Sequence, residues 1–509
     1  MKQATEKPEW MTYPTAERKA PRYDVALTNP DLAPIDPASR TWSWWHIASL
    51  WIGMAICIPT YTLASSLVDR GWSWQAAVAS VVLGNVIVLL PIALNSHAGT
   101  KYGIPFPVMA RASFGVRGAQ VPSLLRAVVA CGWFGIQTWI GGWAIFKLLE
   151  VLWPGIAQLP RLLPASIGLG TGEALCFLAF WAVQMWIVLR GMESIRILET
   201  WGSPFLLAVG AALLVWAVVR SGSWAAMLSN RPVATGAASA GAGSVFGAGL
   251  TSAVAFWGTM ALSIPDFSRH ARSQRDQVVG QALGLPLTMA LFAFIGAAVT
   301  NATAGIFGAR ISDPIALLAR LGGPVMIAMS MLGLTVATLT TNIAANVVAP
   351  ANGFSNLAPS RISFRAGTLI TAVIGIVMMP WRLYNDAAAY IFTWLIGYGA
   401  LLGPVAGIMI ADYFVVRRQQ LEVDDLYRRG GAYEYRGGVN WIAVVALVAG
   451  IAPNVPGFLG ALGVLTASPL ATTIYNWAWF VGFILAAGIY LIGMRLASSP
   501  AREPAHAGR

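Results

Sequence analysis

Cys131-Gly132-Trp133-Phe134-Gly135-Ile136-Gln137-Thr138-Trp139-Ile140-Gly141-Gly142 occupies the middle of an apolar segment that runs from about Pro122 to Leu149. At helical spacing Arg126, Ala130, Trp133 and Gln137 fall on one stripe, so a flat indole and a side-chain amide face the same way. An amide at membrane depth needs a partner, and Gln137 must therefore face another helix or a cavity, not lipid. Two readings follow. Gln137 is glue between helices, with Trp133 as packing, or the pair is a stacking wall and a hydrogen-bonding fork for a small planar ligand.

The surrounding composition sets the class. Of 509 residues 57% are hydrophobic and 11% charged, with mean hydropathy +0.65, where a soluble domain has about a quarter charged. The chain reads as an all-α polytopic membrane protein. Its net charge of +12 is scattered through short loops and forms no stripe for nucleic acid. Cys57, Cys131 and Cys176 lie in apolar segments without metal or disulfide spacing.

Residues 1–42 are hydrophilic and contain no apolar signal region, which predicts a mobile cytoplasmic tail and no cleavable signal peptide. Hydropathy predicts twelve transmembrane helices near 43–66, 75–96, 122–149, 173–190, 200–219, 244–263, 278–301, 323–349, 366–381, 387–411, 439–460 and 473–495. The domain plan is a transport core over 43–411, with repeats at about 43–219 and 244–411. A cytoplasmic loop at 412–438, two further helices in 439–495 and a cytoplasmic tail at 496–509 complete it. The even-numbered loops hold 15 Lys or Arg and the odd-numbered loops 7. This bias places both termini in the cytoplasm of a multi-pass protein of the inner or plasma membrane.

Gly53 and Pro59 interrupt the first span, and Gly247, Gly249 and Gly258 the sixth. Breakers five helices apart fit either plain packing or an inverted repeat whose first helices unwind around a binding site. In the eighth span the carbonyl of Ala337 and the hydroxyls of Thr340 and Thr341 share one surface. They could join freed carbonyls of the first helix around a small hard cation, or bond back to their own helix. Asn342 and Asn346 add amides one turn apart, at least one of which faces the interior. His97 reads as interfacial, and the Arg111–Gly118 and Asp412–Arg418 stretches as topology anchors and inter-helix contacts.

Pro105-Phe106-Pro107-Val108, Arg111-Ala112-Ser113-Phe114-Gly115-Val116-Arg117-Gly118, Trp133 to Trp139, Thr341 to Asn346, Met379-Pro380-Trp381 and Gly403 to Phe414 resemble the nucleobase–cation-symport-1 family. That family also carries allantoin, cytosine, uracil, thiamine and hydantoins. The resemblance, over residues 25 to 445, implies a leucine-transporter-like five-plus-five inverted repeat with helices 11 and 12 outside it. It implies a substrate site at Trp133, Gln137, Trp257 and Asn346. It implies sodium ligands at the backbone oxygens of Gly53, Ile56 and Ala337 and the hydroxyls of Thr340 and Thr341. Cys57 stands where a sodium-coupled member has a glutamine, and joins the substrate-site candidates as a departure.

The expected function is a cation symporter that imports a neutral planar nitrogen heterocycle such as uracil, allantoin, a hydantoin or another nucleobase by alternating access. The rivals are an amino-acid symporter of the same fold, a membrane enzyme and a passive channel. No metal cluster, carboxylate pair or activated nucleophile supports an enzyme. Sodium is favoured over the proton because no titratable group is placed at the midplane of the spans lining the site. No cofactor and no obligate protein partner are expected, only the ligand, the ion and the bilayer.

Overall fold

The computed structural model describes residues 23–69, 71–229, 242–318, 320, 323–383 and 393–498. The first half contains α1 (Trp44–Ala55), α2 (Ile58–Asp69), α3 (Trp74–Tyr102), α4 (Phe106–Phe114), α5 (Gln120–Leu152), α6 (Thr171–Val188), α7 (Met192–Ser221) and α8 (Trp224–Leu228). The second half contains α9 (Ala242–Phe256), α10 (Gly258–Ser263), α11 (Pro265–Ser268), α12 (Gln274–Phe307), α13 (Pro314–Leu318), α14 (Pro324–Asn346), α15 (Val348–Leu357), α16 (Phe364–Val377), α17 (Pro380–Leu383) and α18 (Ile396–Ile410). Then come α19 (Trp441–Ile451), α20 (Val455–Ala461), α21 (Pro469–Asn476) and α22 (Ala478–Ser498).

Among the described residues nine helices are long and apolar enough to cross a membrane, and the bent pair α1–α2 makes a tenth span. The predicted sixth and ninth spans appear as shorter apolar helices, Phe246–Phe256 and Phe364–Val377. The ninth ends early because Met379 takes φ 47° directly before Pro380, a residue that cannot donate to a continuing helix. The first part of the predicted tenth span and the C-terminal tail from 499 lie outside the described residues.

Pro59 explains the first break. Its missing N–H leaves the carbonyl of Ala55 without the helical donor, and the chain turns at Ile56 and Cys57, where Cys57 N–H donates to Ala55 O at 3.1 Å. Pro59 sits in the first turn of α2, where a proline is tolerated, and the two halves meet at 55°. The sixth span breaks at Trp257 (φ −102°, ψ 4°), between α9 and α10. Gly247 and Gly249 instead lie inside α9, so those two glycines serve packing.

α1 is held mainly by α12. A β-carbon at Gly284 would lie 2.7 Å from the Cβ of Trp51 and 2.9 Å from Cα and O of Ala48. One at Gly280 would lie 2.6 Å from the Cβ of Ile47 and from Trp44 O. The Gly280 and Gly284 spacing is the small-residue stripe that lets membrane helices touch backbone to backbone.

Two sets of loop contacts lie at opposite ends of the helices. Trp42 exchanges backbone bonds with His270 and Arg272, Arg40 donates to Thr100 O at 2.7 Å, and Asp24 N–H donates to Tyr427 O at 2.9 Å. Residues 23–42, expected within a mobile tail, are therefore stitched to the loops after α3, α11 and α18. Asn29, which bonds Ser355 Oγ at 2.8 Å and Pro359 O at 3.1 Å, adds the loop after α15. Residues 1–22 lie outside the described residues. On the far side Ser65 donates to Ser312 O, Trp74 to Leu228 O and Arg310 to Val68 O. Two anchors on the tail side are buried contacts. Arg111 donates to Leu426 O at 2.9 Å and Asn356 Oδ1 at 2.6 Å, and Asp412 pairs with Arg417 at 2.8 Å while accepting from Tyr490 at 2.7 Å.

Candidate transport site

The two broken spans meet through Trp51 and Trp257, beside Trp133 of α5. Trp133 lies edge-on to Phe256 with ring centroids 5.6 Å apart and to Tyr398 at 6.4 Å, and Trp257 lies edge-on to Phe256 at 5.0 Å and Trp51 at 5.1 Å. These rings, with Gln137, are buried. Gln137 approaches the thiol of Cys57, and Cys57 Sγ lies 3.3 Å from Thr60 Oγ1. Buried polar atoms in this box that stay unpaired include the Gln137 Oε1 acceptor and the Trp51 and Trp257 Nε1 donors. Buried polar atoms are normally hydrogen-bonded, and leaving one unpaired costs about 1–3 kcal/mol.

The two asparagines divide their labour. Asn342 Nδ2 reaches Phe134 O at 3.1 Å, Thr138 Oγ1 at 3.0 Å and Gln184 Oε1 at 2.6 Å, so Asn342 ties α14 to α5 and α6. Asn346 donates to Asn342 Oδ1 at 2.9 Å. It is an amide held in place by a fixed neighbour.

The ion-site residues also converge. Thr340 Oγ1 lies 3.2 Å from Gly53 O and 2.9 Å from Ala337 O, and Thr341 Oγ1 lies 3.1 Å from Gly53 O and from Met54 O. Ile56 and Ala337 line one cavity of about 330 Å³ between α1, α7, α12 and α14. The donor set is all carbonyl and hydroxyl oxygen, which fits a hard cation. Among the described residues no cluster of three His, Cys, Asp or Glu offers a softer site. Met54 joins this set although the sequence reading left it out.

One expectation is corrected here. The fifth span, expected from residue 200, begins at Met192, and the added turns bring Glu199 against Gly53. A carboxyl group is therefore buried beside the ion-site residues, where the sequence reading placed no titratable group. Phe256, Trp51, Tyr398 and Gln184 were also missed, and Tyr398 alone carried a signal, as a phenol inside an apolar glycine-rich span.

A cavity of about 570 Å³ lies on the far side of the box, lined by Thr62, Ser66, Trp139, Trp143, Asp313 and Trp381 among others. Toward the tail side the path is closed by Arg126 of α5, which donates to Thr259 O at 2.8 Å, Ser263 Oγ at 3.1 Å and Ala345 O at 3.1 Å. Below it Asp266 accepts from Phe106 N–H at 3.1 Å. Burial pushes this carboxyl up to about 7, against the pull of Arg269, the Phe106 amide, Asn352 and Arg126. The folded chain thus keeps a proton that an unfolded aspartate loses near about 3.9. Stability contributed here is full below about 4 and falls by up to about 1.4 kcal/mol per pH unit as pH rises toward about 7. Asp266→Asn is expected to flatten that part of the profile of unfolding midpoint against pH. An unchanged slope would show that other groups set it.

Two halves that each open with a broken helix, closed around an aromatic and amide box beside a cage of oxygens, define a secondary transporter of the leucine-transporter-like fold. The chain belongs to the nucleobase–cation-symport-1 family: the family model described as permease for cytosine/purines, uracil, thiamine and allantoin matches residues 34–482. It is 48% identical over 478 residues to a purine-uracil permease of Arabidopsis thaliana, covering 93% of this chain and 78% of the relative. It is 39% identical over 473 residues to an allantoin permease of Bacillus subtilis, covering 92% and 94%. Among solved structures, Mhp1, a nucleobase–cation-symport-1 transporter in a closed conformation with bromovinylhydantoin bound, superposes with TM-score 0.74 at 25% identity, covering 93% of this chain and 96% of that one. The chain is a membrane transporter and not an enzyme.

Proposed function

We propose that this transporter imports a neutral, planar nitrogen heterocycle with adjacent N–H and C=O groups, of the uracil, allantoin, hydantoin or nucleobase kind, in symport with sodium. The observation that carries the reading is an unpaired acceptor and an unpaired donor in the box, at Gln137 and Trp257. A ring with N–H beside C=O satisfies both, while the indoles cover its faces for about 0.5–1.5 kcal/mol each. An amino-acid zwitterion would bring two charges to a box of neutral side chains, which disfavours it. The family names supply the candidate ligands.

Trp133, Gln137, Trp257 and Asn346 contact the ligand in this reading, with Cys57 holding the position of Gln137. Gly53, Ile56, Ala337, Thr340 and Thr341 hold sodium. In this reading the tail side faces the cytoplasm of the inner or plasma membrane, which the excess of Lys and Arg in the tail-side loops supports.

A thermal-shift screen of the purified protein against purines, pyrimidines, allantoin and hydantoins tests the ligand class, since a ligand bound only by the folded form stabilises it. No stabilisation by any of them would overturn the heterocycle reading. Gln137→Ala is expected to weaken binding by about 1–3 kcal/mol, roughly 5- to 150-fold. Unchanged affinity would return Gln137 to the role of helix glue. Thr341→Ala is expected to weaken sodium activation of ligand binding by a similar factor of about 5 to 150, and to leave binding in choline nearly unchanged. Equal affinity in sodium and choline for the parent chain would remove sodium from the mechanism.

A further inference from the structure

The cavity of about 330 Å³ between α1, α7, α12 and α14 is lined almost wholly by apolar side chains. On α7 the lining residues Leu206, Gly210, Leu213 and Trp216 recur every three or four positions, which makes them one stripe of the helix. From Phe205 to Trp216 the lining runs about 16 Å at about 1.5 Å per residue. The space is therefore a slot along the helix axes, completed by Tyr61 of α2, Phe292 of α12 and Leu334 of α14.

Water suits this slot poorly, because a buried water needs about two to four polar partners. The Tyr61 hydroxyl lies 3.4 Å from Thr300 Oγ1 and the Cys57 thiol 3.3 Å from Thr60 Oγ1. Among the lining side chains that leaves the Ser330 hydroxyl and the Trp216 N–H for several waters at once. A heterocycle bearing N–H and C=O groups would leave most of them unpaired there. An apolar space of this size takes an apolar occupant.

The bilayer meets the slot. Two lining residues are exposed on the outside of the chain, Phe205 of α7 at 41% and Met329 of α14 at 60%. Both belong to membrane spans, so the medium at this mouth is hydrocarbon. Toward the far side the slot ends at Pro314 and Leu318 of α13. Arg220, one turn past Trp216, and Arg320, two residues past Leu318, are exposed at that end. A phosphate at the membrane surface finds two cations there.

We propose that the slot is a lipid site, filled by one acyl chain of a phospholipid of the far-side leaflet whose phosphate lies beside Arg220 and Arg320. The chain lies against Ile56, Cys57 and Ile58, and so supports the turn of the broken first helix from the lipid side. The site is separate from the aromatic box and independent of which heterocycle or ion is carried.

The test uses the full chain in phospholipid nanodiscs doped with a phosphatidylcholine that carries a diazirine in the middle of one acyl chain. Cross-links formed on irradiation are mapped by mass spectrometry. Leu206 is 0% exposed and Tyr61 4%, so a chain that only coats the outside of the protein does not reach them, whereas Val215 of α7 is 61% exposed and reports that coat. Cross-links are expected at Leu206 or Tyr61 as well as at Val215. Ala212→Phe and Ser330→Phe add bulk to the slot from α7 and from α14. Each is expected to reduce the inner cross-links severalfold and to leave Val215 labelled as in the parent; using both helices covers a variant that fails to fold. Parent cross-links confined to outward-facing residues overturn the proposal. Inner cross-links that persist at the parent level in a folded filling variant overturn it too.

Discussion

Gly284→Val is expected to abolish uptake and to lower the unfolding midpoint, whereas Gly488→Ala leaves uptake unchanged and keeps or slightly raises the midpoint. At Gly284 the three nearest atoms to a new β-carbon are the Cβ of Trp51 and the Cα and O of Ala48, all within 2.9 Å. None is the tip of a flexible side chain, so nothing can rotate away. α1 must instead move off α12, and valine adds two methyl groups to the same gap. Overpacking of this kind costs about 1–3 kcal/mol and occasionally more. The functional loss exceeds the stability loss because Gly53 and Met54, one turn past Trp51, present the carbonyls that the Thr340 and Thr341 hydroxyls reach. Gly488 has no atom within 4 Å of its would-be β-carbon, and a helical alanine is favoured over glycine by about 1 kcal/mol. The comparison is made by uptake into proteoliposomes and by thermal unfolding in detergent. Uptake by Gly284→Val at the parent rate would show that α1 tolerates displacement from α12.

What could be read from the sequence followed from strong local chemistry. Pro59 forbids a helical hydrogen bond, so the first break was visible, and Trp133 with Gln137 stood out because an amide in hydrocarbon demands an explanation. Helix ends were harder to read. Glu193, Arg196 and Glu199 lower the mean hydropathy at the start of α7, so a window average trims the helix there although, of the three, only Glu193 is exposed and Glu199 is buried. That is how Glu199 escaped notice beside Gly53. Asn342 and Asn346 were equal candidates in sequence, and only the arrival of Thr138 and Gln184 from other helices makes one the tether and the other its dependent. The second break fell at Trp257 and not at the glycines of α9, because those glycines admit Trp477 and Trp72 as neighbours and the helix continues through them.

Arg126→Ala is expected to reduce uptake by about a hundredfold or more, the second large effect. The guanidinium of Arg126 is fully buried and spans three elements: its own α5, the carbonyl of Thr259 and hydroxyl of Ser263 on α10, and the carbonyl of Ala345 on α14. Hydrogen bonds from a charged donor contribute about 1.5–3 kcal/mol each, and a hundredfold effect needs only about 2.7 kcal/mol. The fork geometry matters as much as the charge. Lysine carries one compact ammonium and cannot hold α10 and α14 at once, so Arg126→Lys should recover only a small part of the loss. α10 is the half of the broken helix on the tail side, and Arg126 is the contact that fixes it against the partner helix while the far-side cavity stays open. Removing it lets α10 part from α14, which exposes the box toward the tail side and uncouples access at the two ends. A single cysteine at Ser263, in a background freed of Cys57, Cys131 and Cys176 and shown to retain uptake, reads this directly. Its labelling by a membrane-impermeant thiol reagent from the tail side should rise severalfold in Arg126→Ala. Unchanged labelling together with parent-level uptake would mean that the closed end is held by other contacts, of which the Asp266 bond to Phe106 N–H is the next to test.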